Sequence, residues 1–230
     1  MDPWANNVQF YAPASSTPRT KKHLLLACTG SIIAKKVSDM LTALTPYSPH
    51  LNIHVIITPS AIRFLPYTLT HPSPGAAIPT IFPIVSRAWT DADQWIQWTR
   101  FGDPLLHIEL RQWADLLVIA PLDADFLAKI VSGCVQGVLG GVVRAWDVQK
   151  TIMVAPAMDA FTWKHPVMGE QIDVLKNRWD WVEVLEPIPE RFQGANTDTD
   201  VMREWWEVVG YVIKELGLEG KEQEAVRAFR

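Results

Sequence analysis

Short apolar runs alternate along the chain with segments in which apolar residues recur at helical spacing. The apolar runs occupy residues 23–28, 51–57, 116–120, 151–155 and 182–185. Helical spacing is found at residues 32–44, 105–113, 126–132, 171–177 and 202–216. Because the runs are apolar on both faces, they are typical of strands in a parallel sheet that helices cover on both sides. The pattern therefore predicts an α/β domain with a doubly wound parallel sheet.

Stretches without this periodicity set the expected bounds of the domain. Residues 1–20 carry prolines, serines and asparagines, which predict a flexible N-terminal tail. The domain is expected to span residues 21–217, and residues 218–230 are expected to form a C-terminal tail. Within the domain, the proline-rich stretch 66–83 predicts an irregular surface loop. Pro121 is expected to end the third apolar strand.

Composition argues against several classes of function. The formal net charge is −4 and the basic residues are scattered, so we expect no nucleic-acid partner. No apolar run approaches the ~20 residues that a bilayer requires, and no charged segment precedes an apolar stretch at the N-terminus, so we expect no membrane partner and no export. The two cysteines, Cys28 and Cys134, exclude a disulfide scaffold and a thiolate zinc site. We expect a cytoplasmic protein without a metal, with both thiols buried and Cys134 in a helix.

Hydroxyl groups and a glycine follow the first two predicted strands. Thr29, Gly30 and Ser31 come directly after the first strand, and Ser60 follows the second within a Thr-Pro-Ser-Ala sequence. In a doubly wound sheet, ligands lie outside the carboxyl ends of the strands, where exposed amides at a helix start favour an anion. The two segments together favour a phosphate pocket, although Ser31 and Ser60 would also serve as ordinary helix N-caps.

Eight short blocks, taken in order, resemble the flavin-dependent cysteine decarboxylases. Within that family the chain is most similar to the group of phosphopantothenoylcysteine decarboxylases and halotolerance proteins, of which it is a divergent member. The resemblance extends from about residue 22 to residue 216. The blocks are Thr29–Ser31, Thr58–Ala61, Gly102-Asp103, His107–Arg111, Trp113–Asp115, Ala120–Leu122, Arg144–Trp146 and Ala155–Met158.

The resemblance implies a fold, a reaction and an assembly. The family fold is flavodoxin-like, and its members form trimers that hold FMN at the subunit borders. The family decarboxylates a cysteinyl carboxylate in a flavin-dependent reaction that is redox-neutral overall, and the most similar group acts on phosphopantothenoylcysteine in coenzyme A biosynthesis. The partners expected from the resemblance are therefore this substrate and further subunits in a homotrimer or heterotrimer.

The resemblance also assigns roles to individual residues. His107 occupies the position of the family's catalytic histidine. The expected FMN contacts are Gly30, Ser31, Ser60 and Ala124. The positions that bind the substrate carboxylate in the family correspond to Ala157, Met158 and Asp159.

Three departures from the family pattern fall at these positions. Asp123-Ala124-Asp125 stands where the family has Ser-Ala-Asn, and a carboxylate can only accept hydrogen bonds, which predicts weakened or lost FMN binding. Alternatively, Asp123 or Asp125 simply caps the helix that begins near Phe126. Asp159 replaces the asparagine that receives the substrate carboxylate. No cysteine lies between residues 187 and 202, where active relatives carry one near the position of Gly194.

These departures leave three hypotheses. The chain is a decarboxylase subunit that supplies the histidine half of a shared site and is useful only with a complete paralogue. Alternatively, it is a non-catalytic regulatory subunit that binds a protein phosphatase or another protein, although its C-terminal tail mixes both charge signs, whereas such inhibitors often carry an acidic tail. The third hypothesis is a flavoprotein without catalytic activity.

Overall fold

Six parallel strands form one sheet in the computed structural model, which describes residues 20–65, 82–188 and 200–222. The strands are β1 (Lys22–Cys28), β2 (Leu51–Ile57), β3 (Val85–Trp89), β4 (Leu116–Leu122), β5 (Ile152–Pro156) and β6 (Val182–Val184). Their order in the sheet is β3-β2-β1-β4-β5-β6. The direction of winding reverses between β1 and β4, so the crevice at their carboxyl ends is the place where such folds bind ligands.

Helices cover both faces of the sheet. In the described ranges they are α1 (Val37–Leu44), α2 (Asp93–Gln97), α3 (Leu106–Trp113), α4 (Ala124–Val131), α5 (Gly137–Arg144), α6 (Ala160–Lys164), α7 (Pro166–Asn177) and α8 (Trp205–Glu215). Because successive strand residues point to opposite faces, β1 supplies two cores. Leu24 and Leu26 pack in the core formed with α1 and α8. Leu25 and Ala27 pack in the core formed with α3, α4, α5 and α7. None of the helices in these ranges has both the length and the apolarity to cross a bilayer.

The predicted doubly wound, flavodoxin-like sheet is confirmed. Without the edge strand β3, the strand order is that of flavodoxin, and β3 extends the sheet by one strand. The five predicted strands are present as β1, β2, β4, β5 and β6. Strand β3 was not predicted, because Ser86 and Arg87 interrupt its apolar pattern. Polar residues are tolerated there because β3 is an edge strand and is only partly buried.

Two local predictions are wrong. Strand β4 does not end at Pro121 but continues to Leu122, and its pairing with β5 shifts register between Ile119 and Leu122, where a residue without an N–H group is tolerated. Cys134 lies in the loop after α4 and is exposed, because Gly133, with φ of 72°, follows the end of that helix. Cys28 is buried as expected, and burial raises the pKa of its thiol to about 12.

Several predicted segments lie outside the described residues. They are residues 1–19 of the N-terminal tail, residues 66–81 of the proline-rich loop, the segment that contains Gly194, and residues 223–230 of the C-terminal tail. Leu218, at the start of that predicted tail, is buried in the core that α1 and α8 share. The bounds 21–217 stay a prediction.

A histidine is buried beneath α3. His54 of β2 is inaccessible to solvent, and its ring stacks on Trp113 with centroids 3.8 Å apart. Trp113 stacks in turn on His23, at 4.4 Å. The indole N–H of Trp89 donates to His54 Nδ1 over 3.2 Å. Burial is the main reason why the pKa of His54 is lowered to about 3, and the nearby charge of Arg87 lowers it further. The imidazole is therefore neutral in the folded protein at neutral pH.

Candidate functional site

A small cleft opens at the carboxyl ends of the first four strands. Its volume is about 200 Å³, below the ~300 Å³ at which small-molecule sites usually begin. The cleft is lined by Thr29, Thr58, Pro59, Ser60, Asp91, Asp123, Asp125, Phe126, Lys129, Gln136 and Leu139. Among the described residues, the lining thus holds three carboxylates and one ammonium group, so negative charge predominates there.

The turn after β1 is tied to the end of β4. The Thr29 hydroxyl donates to the carbonyl of Pro121 over 3.0 Å and accepts from the backbone N–H of Asp123 over 2.7 Å. Asp123 is the N-cap of α4, because its Oδ1 accepts from the N–H of Phe126 over 2.6 Å. The capping role considered for this aspartate is confirmed. Its neighbour Asp125 instead forms an exposed ion pair with Lys129, at 2.6 Å.

Gly30 sits where three loops meet. Its backbone N–H donates to Oδ2 of Asp123 over 2.5 Å. A Cβ at Gly30 would lie 2.6 Å from Cβ of Ser60 and 3.0 Å from the same Asp123 oxygen. Real Cβ atoms do not approach other atoms so closely, so only glycine fits this turn.

The two serines of the predicted phosphate pocket differ in their roles. Ser31 is buried and caps the 3-10 helix Ile32–Lys36, since its Oγ accepts from the N–H of Ile33 over 3.1 Å. The Ser31 hydroxyl donates to Asp200 over 2.6 Å. Ser60 stands at the N-cap position of the 3-10 helix Ala61–Arg63, but its side chain makes no capping hydrogen bond, and its hydroxyl lies 3.2 Å from Oγ1 of Thr58.

A third loop brings another carboxylate to the cleft. Asp91 follows the unpredicted strand β3, and its Oδ1 accepts from the N–H of Val138 at the start of α5, over 2.9 Å. A Cβ on Gly137 would collide with the Asp91 carboxylate. Asp91 was not predicted as a site residue because β3, which precedes it, has no continuous apolar run. Asp200 was not predicted because nothing in the local pattern links that residue to the turn after β1.

His107 lies in the first turn of α3, half-buried. A Cβ on Gly141 of α5 would lie 2.9 Å from Cγ of the imidazole, so the ring packs directly on the α5 backbone. Burial lowers the pKa of His107. His107 is not among the described residues that line the cleft. Two residues at the start of α5 do line it: Gln136, directly before the helix, and Leu139, within it. Helix α5 therefore connects the histidine to the cleft.

The predicted substrate positions follow β5. Ala157 donates to the carbonyl of Leu122 over 2.8 Å, and Met158 forms a bridge with Val201. Asp159 caps α6: its Oδ1 accepts from the N–H of Thr162 over 3.0 Å and its Oδ2 from the Thr162 hydroxyl over 2.6 Å. These hydrogen bonds lower the pKa of Asp159, and the bond from the Thr162 hydroxyl has the largest effect. Because Val201 adjoins Asp200, this segment is connected to the hydroxyl of Ser31.

The structure thus brings Gly30, Ser31 and Ser60 together at the switch point. Ala124 is the first residue of α4 and lies next to the Asp123 cap. The roles of all four as FMN contacts stay a prediction. Among the described residues, no group of three or more histidine, cysteine, aspartate or glutamate side chains could hold a metal ion.

The fold defines a doubly wound α/β protein, a class in which ligands bind at the carboxyl ends of the strands. The chain belongs to the Flavoprotein family, whose model matches residues 13–217. It is 33% identical over 229 residues to phosphopantothenoylcysteine decarboxylase subunit SIS2 of Saccharomyces cerevisiae, covering 86% of this chain and 40% of that protein. It is 38% identical over 190 residues to phosphopantothenoylcysteine decarboxylase of Arabidopsis thaliana, covering 83% and 82%. The chain spans less than half the length of the yeast relative.

Solved structures show the same fold. The FMN binding protein AtHal3 matches with a TM-score of 0.69 and 32% identity, covering 84% of this chain and 95% of that one. A PPC decarboxylase mutant complexed with pantothenoylaminoethenethiol matches with a TM-score of 0.69 and 34% identity, covering 84% and 96%. HAL3 from Cryptococcus neoformans matches with a TM-score of 0.70 and 26% identity, covering 87% and 98%.

Two of the predicted FMN contacts already have hydrogen-bond acceptors within the chain. The Gly30 N–H and the Ser31 hydroxyl, which would have to donate to the phosphate, already donate to carboxylates of the chain itself. A phosphate dianion would also meet the Asp91 and Asp123 charges at close range.

Proposed function

We propose that this chain is a divergent subunit of a phosphopantothenoylcysteine decarboxylase of coenzyme A biosynthesis, and that it supplies the histidine half of a site shared between subunits. The observation that carries the proposal is a contrast between two positions. His107 keeps a partly buried imidazole on α3, whereas Asp159 is held as a helix cap that offers only acceptors. The proposed domain spans residues 21–217, between the two tails.

The lowered pKa of His107 supports its role. Because burial favours the neutral ring, the imidazole is able to accept a proton at neutral pH, as a general base must. The proposed substrate, phosphopantothenoylcysteine, would be held for decarboxylation by this histidine together with groups of the neighbouring subunit.

Asp159 argues against catalysis by this chain alone. A substrate carboxylate about 4 Å from Asp159 would be repelled by about 1 kcal/mol in water and by about 4 kcal/mol at an effective dielectric constant near 20. The bonds from Thr162 keep Asp159 in its charged form. In the proposed assembly, the asparagine and the flap cysteine therefore come from the partner subunit, and FMN binding by this chain is weakened or lost.

An exposed apolar segment that precedes His107 in the sequence supports an oligomer. From α2 to the residue before α3, five large apolar side chains are exposed, and Phe101 is 98% exposed; they are Trp95, Ile96, Trp98, Phe101 and Leu105. Clusters of large exposed apolar side chains mark protein interfaces. We propose that this surface packs against a neighbouring subunit in a homotrimer or heterotrimer, which would place the interface next to the histidine.

Phe101→Asp is expected to weaken this assembly by roughly tenfold or more in dissociation constant, because the interface would have to bury a charge. Sedimentation equilibrium of the purified chain measures the change. Val148→Asp is the control, since Val148 is 51% exposed and lies before β5, at the other end of the sheet. Equal behaviour of both variants and the unchanged chain would place the interface elsewhere.

A complementation assay tests the shared site. The chain is mixed with a family member that keeps the asparagine and the flap cysteine but whose own histidine has been replaced. Neither protein alone is expected to release carbon dioxide from phosphopantothenoylcysteine, whereas the co-purified mixture is. A mixture that forms stable oligomers yet releases no carbon dioxide would contradict the proposal.

That negative result would favour the second candidate, a regulatory subunit that binds a protein phosphatase or another protein. The carboxylates bound at the strand ends and the role of Asp159 as a helix cap are compatible with such a role, because a regulatory subunit needs to bind neither a flavin nor a substrate. Co-purification with a phosphatase catalytic subunit, and inhibition of it, is the measurement. In either case we propose a cytoplasmic location, which the two free thiols support.

A further inference from the structure

Hydrogen-bond donors around the switch point between β1 and β4 already donate to carboxylates of this chain. The Gly30 N–H donates to Asp123 over 2.5 Å, and the buried Ser31 hydroxyl donates to Asp200 over 2.6 Å. On the neighbouring loop, the Val138 N–H donates to Asp91 over 2.9 Å. The donors come from the turn after β1 and from the start of α5, and each has an anionic partner from another part of the chain.

Asp123 is fixed in this position by several contacts. One oxygen accepts from Gly30, the other accepts from the N–H of Phe126 over 2.6 Å, and the backbone N–H is bound to the Thr29 hydroxyl. Moving the carboxylate out of the turn would remove the N-cap of α4 and leave the Gly30 amide without its acceptor. The arrangement is therefore a built feature and not a freely rotating surface side chain.

A carboxylate in this place has the chemistry of a bound phosphate. It is an anion with two acceptor oxygens, placed at a helix N-terminus and bound by backbone amides, which is how such folds hold phosphate groups. A phosphate and the Asp123 carboxylate cannot share the Gly30 amide. Within the described residues that line the cleft, the ammonium group is that of Lys129, and it forms an ion pair with Asp125 at 2.6 Å.

The small size of the cleft, like its charge, is unfavourable for an FMN phosphate. The cleft holds only about 200 Å³. Ser60 closes over Gly30 so tightly that not even a methyl group fits there.

We propose that Asp123 is an internal substitute for the FMN phosphate, so that this chain excludes FMN from its own strand ends and a mixed oligomer uses the flavin held by its partner subunit. The inference rests on the proposed function, because it takes these strand ends to be the family's phosphate site. It goes further by naming the residue that decides flavin occupancy in each subunit.

Flavin titrations of the full chain test this inference. Binding is followed by quenching of flavin fluorescence, with FMN as one probe and riboflavin, which lacks the phosphate, as the other. The unchanged chain is expected to show no saturable quenching by FMN. Asp123→Asn keeps a good N-cap, removes the negative charge and replaces one acceptor oxygen with a donor. Saturable quenching by FMN is therefore expected to appear, with a dissociation constant at least about tenfold below the highest FMN concentration that leaves the unchanged chain unsaturated, whereas quenching of riboflavin by the two proteins is expected to differ by less than about twofold.

The control is Asp147→Asn, which removes one carboxylate near Arg111, away from the cleft. It is expected to behave like the unchanged chain with both probes. Asp123→Ser, which also caps helices, replaces Asp123→Asn should the latter fail to fold by circular dichroism.

Two results would overturn the inference. One is stoichiometric FMN binding by the unchanged chain. The other is a folded Asp123 variant that gains no affinity for FMN relative to riboflavin. Neither readout involves carbon dioxide release, so the complementation assay and the flavin titrations fail independently of one another.

Discussion

A His107→Asn subunit, mixed with the histidine-deficient relative, is expected to release carbon dioxide about 10²- to 10⁴-fold more slowly than the unchanged chain in the same mixture. Asparagine retains a polar side chain of moderate size but cannot accept a proton. The measurement is the initial rate of release at saturating phosphopantothenoylcysteine. Because burial lowers the pKa of His107, the rate of the unchanged mixture is expected to stay high to a pH below the ordinary histidine value of 6.5.

His165→Asn is the matched control for this experiment. His165 is exposed and caps α7 through its Nδ1, which contacts the N–H of Val167 at 3.3 Å, a role that asparagine also fills. Its mixture is expected to keep the full rate. A His107→Asn mixture that is as fast as the unchanged one, with the same oligomer composition, would show that the histidine of this chain serves no shared site.

The stability of the unchanged chain is expected to fall by about 1.4 kcal/mol per pH unit through His54 alone, as the pH drops from about 6.5 towards about 3. The sign follows from the direction of the shift. The unfolded chain binds a proton at His54 below about pH 6.5, whereas the folded chain resists it until about pH 3, so acid favours the unfolded state. Above pH 6.5 neither state is protonated there, and the full stability is present.

His54→Phe is the variant that isolates this contribution. Phenylalanine keeps a ring to stack on Trp113 but does not titrate, although it costs the hydrogen bond from Trp89. Urea unfolding of both proteins across pH 4 to 8 gives the difference in free energy of unfolding, from which the carboxylates shared by both proteins cancel. We expect the difference to be constant above pH 6.5 and to shift in favour of the variant below it. A difference that is flat across the range would mean that folding does not lower the pKa of His54.

Much of the fold could be predicted from the sequence because its central strands are buried on both faces. An unbroken apolar run such as the one in β4 has few alternatives to a covered parallel strand. The edge strand β3 was not predicted for the opposite reason. It is only partly buried, so polar residues such as Ser86 and Arg87 are tolerated in it and no continuous apolar run results. The exposed Cys134 escaped it because the end of α4 depends on the left-handed conformation of Gly133.

The sequence by itself determined which residues stand at the strand ends: the glycine and hydroxyls after β1, the histidine of α3, and the aspartates in place of neutral family residues. Local order along the chain sets these, because a strand end and the next helix start are neighbours in sequence. Only the tertiary structure decided what those aspartates do. Asp123 and Asp200 reach Gly30 and Ser31 from 93 and 169 residues away, and contacts over such separations arise when the sheet closes and the strand ends meet at one edge.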